Sequence, residues 1–523
     1  MANFFDDGKR NMLPLWRSYD DIGLTREMDY SGRKLLPMRF DLYDSFIEAW
    51  KAKHTVVTAA DLVNAAVASG NTHCVEVMNA ADYMLNNAEQ CTNLALEVAR
   101  SITNTSQLIL PNSFSKLTKF EDVAKNLIRG LVEQEQMTKA RIGILRRQLR
   151  EHCYDPVAYC ELARCYANLG MNDKAETYMK YAINLAPTSR FVVRNAARFF
   201  VHNGDLDKAK SVLLKSGRVK TDPWIMSAEI AVESVVERAS RYVKEGRQMV
   251  FSGNVSAFSS SELCFAICKV DLDYGKRKDS RKMFEKGIIE PNDNCLAQAE
   301  FFAKRDSNLQ LDLSAYSRLP HKHEADTRKA YVTGKYEDAF ISSLKWMRDY
   351  RFEQRPIAFA FDISCIYLKR YDFAIEVEKK ALTLNPRNHT AVNNLAYAMG
   401  LSDRLDEAEA YLSTINYQKY LNNKDTTGAI CLVATCGLLE YRKGNIDEGR
   451  KMYNMAIQAA KKHKENGLAA KARLNMIREE VRNVRDYDTN ILNELDSLET
   501  NDIRETEQLR KDILEEVKKK TQV

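Results

Sequence analysis

The chain has 523 residues, of which 45% are hydrophobic and 29% are charged, and its formal net charge at pH 7 is +6. This composition is typical of a soluble globular chain, and so small a positive excess does not by itself indicate a nucleic acid or an anionic membrane as the partner. No apolar run approaches the roughly 20 residues that span a bilayer, and the first ten residues do not form a secretory signal. We therefore expect a cytoplasmic protein with no membrane partner.

The chain begins with two regions of different character. Residues 1–37 show no steady periodicity, which predicts an irregular N-terminal arm. In residues 38–119 apolar positions recur at helical spacing, as at Phe46, Ile47 and Trp50. This second pattern predicts divergent helical hairpins, which form either a separate domain or a cap on the array that follows.

A basic helix is predicted next. No acidic residue occurs between Gln136 and Arg150. The cations of this stretch that fall on one ridge are Lys139, Arg146, Arg147 and Arg150. Such a ridge binds phosphates, meets an acidic protein surface, or is a solvated helix face, and all three alternatives stay open. No aromatic residues of the kind that stack on single strands are interleaved with it.

A 34-residue period is the most informative pattern in the chain. Gly170 and Gly204 are 34 apart, and so are Ala175 and Ala209. Within the first copy, apolar residues at helical spacing predict one helix that ends at Gly170 and a second that ends at Pro187. One such hairpin cannot bury its own apolar stripe, so its stability comes from neighbours stacked against it.

These residues resemble the tetratricopeptide repeat family. The first copy matches the family pattern at Leu162, Ala163, Tyr166, Gly170, Ala175, Ala182 and Pro187. Further copies follow from Arg190, from Tyr371 and from Leu395, and a degenerate one has Gly449 where the family has alanine. The resemblance implies an all-α protein in which residues 120–465 form a right-handed α-solenoid of helical hairpins.

The resemblance also implies a binding groove, because in this architecture the first helices line the concave surface. Arg164 and Arg198 lie one repeat apart, and Arg194 and Asn195 precede Arg198 on the same helix. We predict that these four side chains project into one partner-binding groove. Arginine binds carboxylates at two points, so the expected ligand is an acidic or carboxyl-terminal peptide segment. The alternative, in which the arginines are solvated or paired with a neighbouring repeat, stays open.

A second, less charged groove is predicted further along the array. Asn394 is the counterpart of Asn195, with Asn393 and Tyr397 beside it. In the family an asparagine at this place often contacts an extended peptide, and the resemblance extends that role to Asn195 and Asn394.

The chain ends in a charged segment, residues 466–523. Its apolar positions are sparse and do not form steady heptads. We expect charged C-terminal helices that form an exposed capping element.

Motifs of catalysis are missing from the sequence. It contains no phosphate-binding glycine loop, zinc-protease helix, calcium loop or nucleophile elbow. His321, His323, Glu324 and Asp326 form the cluster that most resembles a metal site, and we interpret it as a solvated loop at the start of a helix. We expect no enzyme activity, no cofactor and no metal.

The function predicted from these patterns is that of a scaffold or adaptor, which binds a partner peptide or protein in the groove of the solenoid. The alternative is a helical-repeat nucleic-acid-binding protein that uses the basic helix 139–150 and the arginine groove. The two differ in salt dependence, because a nucleic-acid binder loses affinity steeply as salt rises. The partner's identity and the oligomeric state stay open.

Overall fold

We analysed a computed structural model of the chain. It describes residues 10–17, 29–30, 33–34, 40–69, 75–103, 119–317, 319–385, 388–415 and 426–521. Two compact units are present. The N-terminal unit is Arg10–Val332 together with Arg348–Tyr350, and the C-terminal unit includes Thr333–Met347 together with Arg351–Val523.

The described part of the N-terminal unit consists largely of helices. They are α1 Phe40–Ala52, α2 Val56–Ser69, α3 Val75–Asn86, α4 Asn93–Thr103, α5 Phe120–Glu151, α6 Pro156–Ala167, α7 Asn172–Leu185, α8 Arg190–His202, α9 Leu206–Lys215, α10 Pro223–Val235, α11 Val243–Phe251, α12 Ala257–Asp273, α13 Arg277–Gly287, α14 Asp293–Arg305 and α15 His323–Val332. Short 3₁₀ turns occur at Ala88–Gln90 and Leu313–Tyr316. A two-residue antiparallel pair, β1 Asp29–Tyr30 and β2 Arg33–Lys34, lies within the predicted arm.

Helices also make up the C-terminal unit. They are α16 Tyr336–Asp349, α17 Arg355–Asp362, α18 Tyr371–Leu384, α19 His389–Leu401, α20 Leu405–Leu412, α21 Thr426–Arg442, α22 Ile446–Lys462, α23 Asn466–Asn483 and α24 Ile503–Thr521. The last residues of α16 are grouped with the N-terminal unit. A π-helical segment, Ile363–Tyr367, continues α17, and a 3₁₀ segment, Thr489–Ser497, precedes α24.

The 34-residue period is visible in the backbone of the first two repeats. Asp155 caps α6, because its carboxylate accepts hydrogen bonds from the amides of Val157 and Ala158 at 3.0 Å. Gly170 and Gly204 follow α6 and α8 with φ values of 70° and 77°, the left-handed conformation that glycine adopts at little cost. The helix ends predicted from the glycines are therefore confirmed.

In the degenerate copy, helices α21 and α22 pack so closely that position 449 has room only for glycine. A methyl group at Gly449 would lie 2.6 Å from Cδ2 of Tyr441, and one at Gly437 would lie 2.9 Å from Cδ2 of Tyr453. Each tyrosine ring therefore occupies the space that a side chain on the facing helix would need. The family's alanine does not fit between α21 and α22 unless these rings move.

Helices α1 to α4, which lie within residues 38–119, have a hydrophobic core of their own. Trp50, Leu62, Val77 and Met84 are buried in it, with Phe46 and Ile47 packed against its edge. This core explains why a region without the repeat signature still folds as helical hairpins.

The expectation of an exposed C-terminal element is wrong for α23. This helix is buried along most of its length, including the charged residues Lys471, Arg478 and Glu479. The sparse apolar positions that follow, such as Leu495 and Ile513, pack against the apolar side of α23. These few apolar residues are enough to hold the segment against α23, because they all pack into one hydrophobic cluster.

Candidate functional site

A segment of the predicted arm, residues 10–17, lies against the helices of the N-terminal unit without helix or strand structure of its own. At its start the Arg10 guanidinium is 2% exposed. Its Nε and Nη2 donate to the two carboxylate oxygens of Glu324 at 2.8 and 2.9 Å. Nη1 donates to Gln298 Oε1 at 2.7 Å, and Nη2 also donates to Asn294 Oδ1 at 2.9 Å. This buried charge is therefore both neutralised and hydrogen-bonded, as burial requires.

Two amide side chains on α14 hold the backbone of the same segment. Gln298 Nε2 donates to the carbonyl oxygen of Arg10 at 3.1 Å, and Asn294 Nδ2 donates to that of Leu13 at 2.9 Å. Each amide thus accepts from the Arg10 side chain and donates to a main-chain carbonyl. An amide is suited to this because it carries both a donor and an acceptor.

Arg17 anchors the far end of the segment. Its Nη2 lies 2.6 Å from Asp293 Oδ2 and 3.8 Å from Asp349 Oδ2, and its guanidinium stands 5.4 Å from the ring centroid of Tyr350. Burial opposes the charge on Arg17, but Asp293, Tyr350 and Asp349 together raise the pKa of its guanidinium. Arg10 contacts Gln298, Leu13 contacts Asn294, and Arg17 contacts Asp293. The contacts run backward along α14, so the segment is antiparallel to this helix.

The apolar residues of the segment are buried between these two arginines. Met12 is 1% exposed and Trp16 is fully buried. The indole ring of Trp16 meets the ring of Phe199 on α8 edge to face, with centroids 5.7 Å apart. We call residues 10–17 the arm segment. The cradle is the set of polar residues that hold it, namely Asp293, Asn294, Gln298, Glu324 and Asp349.

The predicted arginine groove is not open. Arg194 donates to Glu262 Oε2 at 2.6 Å and stacks 4.9 Å from the ring centroid of Trp224. Arg164 donates to Glu161 Oε2 at 3.1 Å. Asn195 and Arg198 are 3% and 6% exposed. The expectation that these side chains project free toward a partner is wrong, since acidic residues of the same array pair with two of them and packing buries the others.

The second predicted groove is also filled. Asn394 Nδ2 donates to the buried Glu378 at 2.9 Å, and the Tyr397 hydroxyl donates to Asn475 Oδ1 on α23 at 2.8 Å. Asn393 is 3% exposed. The three side chains are buried within the C-terminal unit, so the expectation that they are exposed is wrong here too. A role for either set in partner binding stays a prediction.

The basic ridge is exposed, as the sequence predicts. Arg146, Arg147 and Arg150 are exposed on α5, and so is Lys139. Lys139 Nζ lies 2.8 Å from Glu135 Oε1. Part of the ridge's positive charge is therefore balanced on its own helix, and its role in anion or nucleic-acid binding stays a prediction.

The histidine cluster differs in composition from the one in the sequence. Glu324 binds Arg10 and Asp326 pairs with Lys322 at 2.5 Å, so neither carboxylate joins the histidines. Asp349 does, with its Oδ2 at 2.9 Å from His321 Nδ1 and 3.7 Å from His323 Nε2. Within the described residues this is the one histidine and carboxylate group compact enough for a metal ion.

Electrostatics favour an ion-pair network at this cluster. Burial opposes the charge on Asp349, but the hydrogen bond and charge of His321, together with Arg17, lower its pKa to about 2. Burial likewise opposes protonation of His321, but the hydrogen bond with Asp349 and the charge of its carboxylate together outweigh burial, so the pKa of His321 is raised. The carboxylate that a metal would need is thus already shared between an imidazole and a guanidinium.

The cradle was missed at the level of sequence, although one signal pointed to it. Asn195, Gln298 and Asn394 each lie five positions after the first residue of their helix. Gln298 thus occupies the same position in its helix as the two asparagines do in theirs, and its amide holds the backbone of the arm segment. The acidic members of the cradle come from three separate helices, and no local pattern connects them.

The fold is that of an all-α helical-repeat protein, as predicted. A tetratricopeptide repeat model matches residues 156–189, which are the first repeat identified above. The chain thus contains a tetratricopeptide repeat at residues 156–189, in agreement with the resemblance identified in the sequence.

Other comparisons add little. The crystal structure of yeast Tom70 aligns with 77% of this chain and 97% of its own length, at 14% identity and a TM-score of 0.29. No curated protein matches the sequence. None of the helices in the described part of the chain combines the length and apolar character that crossing a membrane requires.

Proposed function

We propose that the protein is a cytoplasmic, non-catalytic scaffold that binds other proteins through its helical-repeat surface. Two observations support this. Tetratricopeptide arrays, like other helical solenoids, usually serve in binding. The cradle, moreover, already holds a peptide segment through side-chain contacts and two main-chain carbonyls. The second observation carries the proposal, because hydrogen bonds to main-chain carbonyls are contacts that any bound peptide can make.

The test is to identify the partner and then measure binding between purified components. The native chain is isolated under mild conditions, and any stoichiometric protein that accompanies it is produced separately for titration. The proposal predicts a protein partner whose binding withstands physiological salt.

Two results would count against it. Recovery of nucleic acid instead of protein, with affinity that falls steeply as salt rises, favours the alternative carried by Arg146, Arg147 and Arg150. A chain that binds no macromolecule at any salt concentration contradicts both functions.

A further inference from the structure

The charge of the cradle determines which ligand it can take. Three of its members are carboxylates, Asp293, Glu324 and Asp349, and two are amides. Asp293 is in the first turn of α14, where an acidic side chain is favoured by the helix dipole. The carboxylates therefore favour a peptide with cationic side chains, and the amides bind its neutral main chain. This is the opposite of the acidic ligand that the sequence suggested.

We propose that residues 10–17 are an internal ligand, and that the cradle binds an arginine-bearing segment of a partner protein when the arm segment leaves. This proposal rests on the proposed function and deepens it. The partner segment carries two arginines seven positions apart with an aromatic residue beside the second, as do Arg10, Trp16 and Arg17. Arginine is required because the two-point contact with Glu324 matches a guanidinium fork and not an ammonium group.

The contacts of the arm segment are of a kind that another chain can replace. Two of them use main-chain carbonyls, of Arg10 and Leu13, which any peptide offers. The segment contributes no helix and no strand to the array, so its departure breaks no secondary structure. What remains after departure is a row of acidic and amide groups, most of them on α14 and α15, which also pack against each other through Leu296, Ala297 and Ala325.

Competition between the two ligands sets the apparent affinity. A covalently attached segment acts at an effective concentration of the order of millimolar. If the arm occupies the cradle 99% of the time, a partner binds about 100-fold more weakly than to the empty cradle. The arm segment is thus an autoinhibitory element, and any change that weakens it raises the affinity for the partner.

Fluorescence anisotropy with a labelled synthetic peptide of the sequence of residues 8–19 tests this on the full-length chain. The arm variant is Arg10→Ala, Trp16→Ala, Arg17→Ala, and the cradle variant adds Glu324→Gln to these three changes. We expect the arm variant to bind the peptide at least ~10-fold more tightly than the wild type, and the cradle variant to lose at least ~10-fold of that affinity. A peptide with both arginines replaced by lysine binds more weakly to the arm variant.

Circular dichroism and thermal melting check that each variant is folded, and Arg10→Lys replaces the triple variant if the latter is not. Equal binding by wild type and arm variant, or no binding by a folded arm variant, overturns the proposal. The proposal is also overturned if the wild type is a dimer and the Arg10→Ala variant is a monomer. The arm segment of one copy would then lie in the cradle of the other.

These outcomes are separable from the scaffold function itself. A native partner whose binding is unaffected by Glu324→Gln in the arm variant overturns the internal-ligand proposal and leaves the scaffold standing. If the peptide binds as expected but no native protein partner is found, the internal-ligand proposal stands and the scaffold function is contradicted.

Discussion

The guanidinium of Arg10 makes a two-point contact with Glu324, although the two residues are 314 positions apart in the sequence. Glu324 Oε1 also lies 3.1 Å from Arg328 Nη2 on the same helix. The carboxylate thus connects the arm segment to α15 and shares its charge with a second arginine. The arm segment that Arg10 anchors in this way covers the cradle, which the sequence alone does not reveal.

The contact should depend on the shape of the guanidinium as well as on its charge. We expect Arg10→Lys to destabilise the N-terminal unit nearly as much as Arg10→Ala, by about 2–4 kcal/mol, because an ammonium cannot reach Glu324, Gln298 and Asn294 together. Chemical unfolding followed by circular dichroism measures the difference. A lysine variant as stable as the wild type would show that charge alone holds the segment.

Stability of the C-terminal unit should fall as the pH rises through the folded pKa of Glu378. Burial, which outweighs the hydrogen bond from Asn394, raises this pKa to about 8 from an ordinary value of 4.5. A raised carboxyl pKa contributes stability that is complete below pH 4.5 and is lost by the time the pH exceeds 8. At 1.36 kcal/mol per pKa unit the whole loss is of the order of 5 kcal/mol, of which about 3 kcal/mol falls between pH 6 and pH 9.

The variant Glu378→Gln isolates this effect, because a glutamine has the shape of the neutral acid and does not titrate. Unfolding of wild type and variant is compared at pH 6 and pH 9. A smaller loss remains in the variant, since burial also raises the pKa of Asp362, to about 7. If the variant loses as much stability as the wild type between these pH values, Glu378 is not the group responsible.

Two glycines offer a matched test of the repeat turns. Gly204 has a φ of 77° after α8, whereas Gly143 lies within helix α5, and neither has an atom within 4 Å of an added methyl group. We expect Gly204→Ala to cost about 1–2 kcal/mol, because an L-residue is disfavoured in this conformation. Gly143→Ala should stabilise by about 0.5–1 kcal/mol, because alanine favours a helix. Thermal melting measures both, and shifts of the same sign would contradict the turn geometry.

The basic ridge should be dispensable for folding. Replacing Arg146, Arg147 and Arg150 with alanine changes the free energy of unfolding by no more than about 0.5 kcal/mol per residue, because all three side chains are exposed. The same variant serves as the surface-charge control for partner binding and should bind as the wild type does. Loss of partner binding in this variant alone would move the binding site from the cradle to α5.

Local features of the fold follow from the sequence, whereas the site does not. The hairpin around Gly170, its capping residue Asp155 and the period to Gly204 involve neighbours within one or two repeats, so spacing reveals them. The pairing of Arg194 with Glu262 brings together residues 68 positions apart. It depends on how successive first helices face one another, which spacing within a single repeat does not specify.

The same reasoning explains the two sites that were expected to be open. Asn195 and Asn394 occupy the family's peptide-contacting place, but only 3% and 5% of their surfaces are exposed. In the C-terminal unit Tyr397 bonds to helix α23, whose alternating charged and apolar residues resemble a solvated helix when read alone. Its charges are buried because partners such as Arg442, at 3.1 Å from Glu479, come from another helix.

Limited digestion with trypsin tests most directly whether the chain's own arm segment fills the cradle. The protease cleaves after arginine, and Arg10 and Arg17 are held in the cradle with 2% and 12% of their side chains exposed. We predict that the bonds after Arg10 and Arg17 are cut at least ~10-fold more slowly in the wild type than in a Glu324→Gln, Asp293→Asn variant, as followed by mass spectrometry. Equal rates of cleavage in the two proteins would contradict the account.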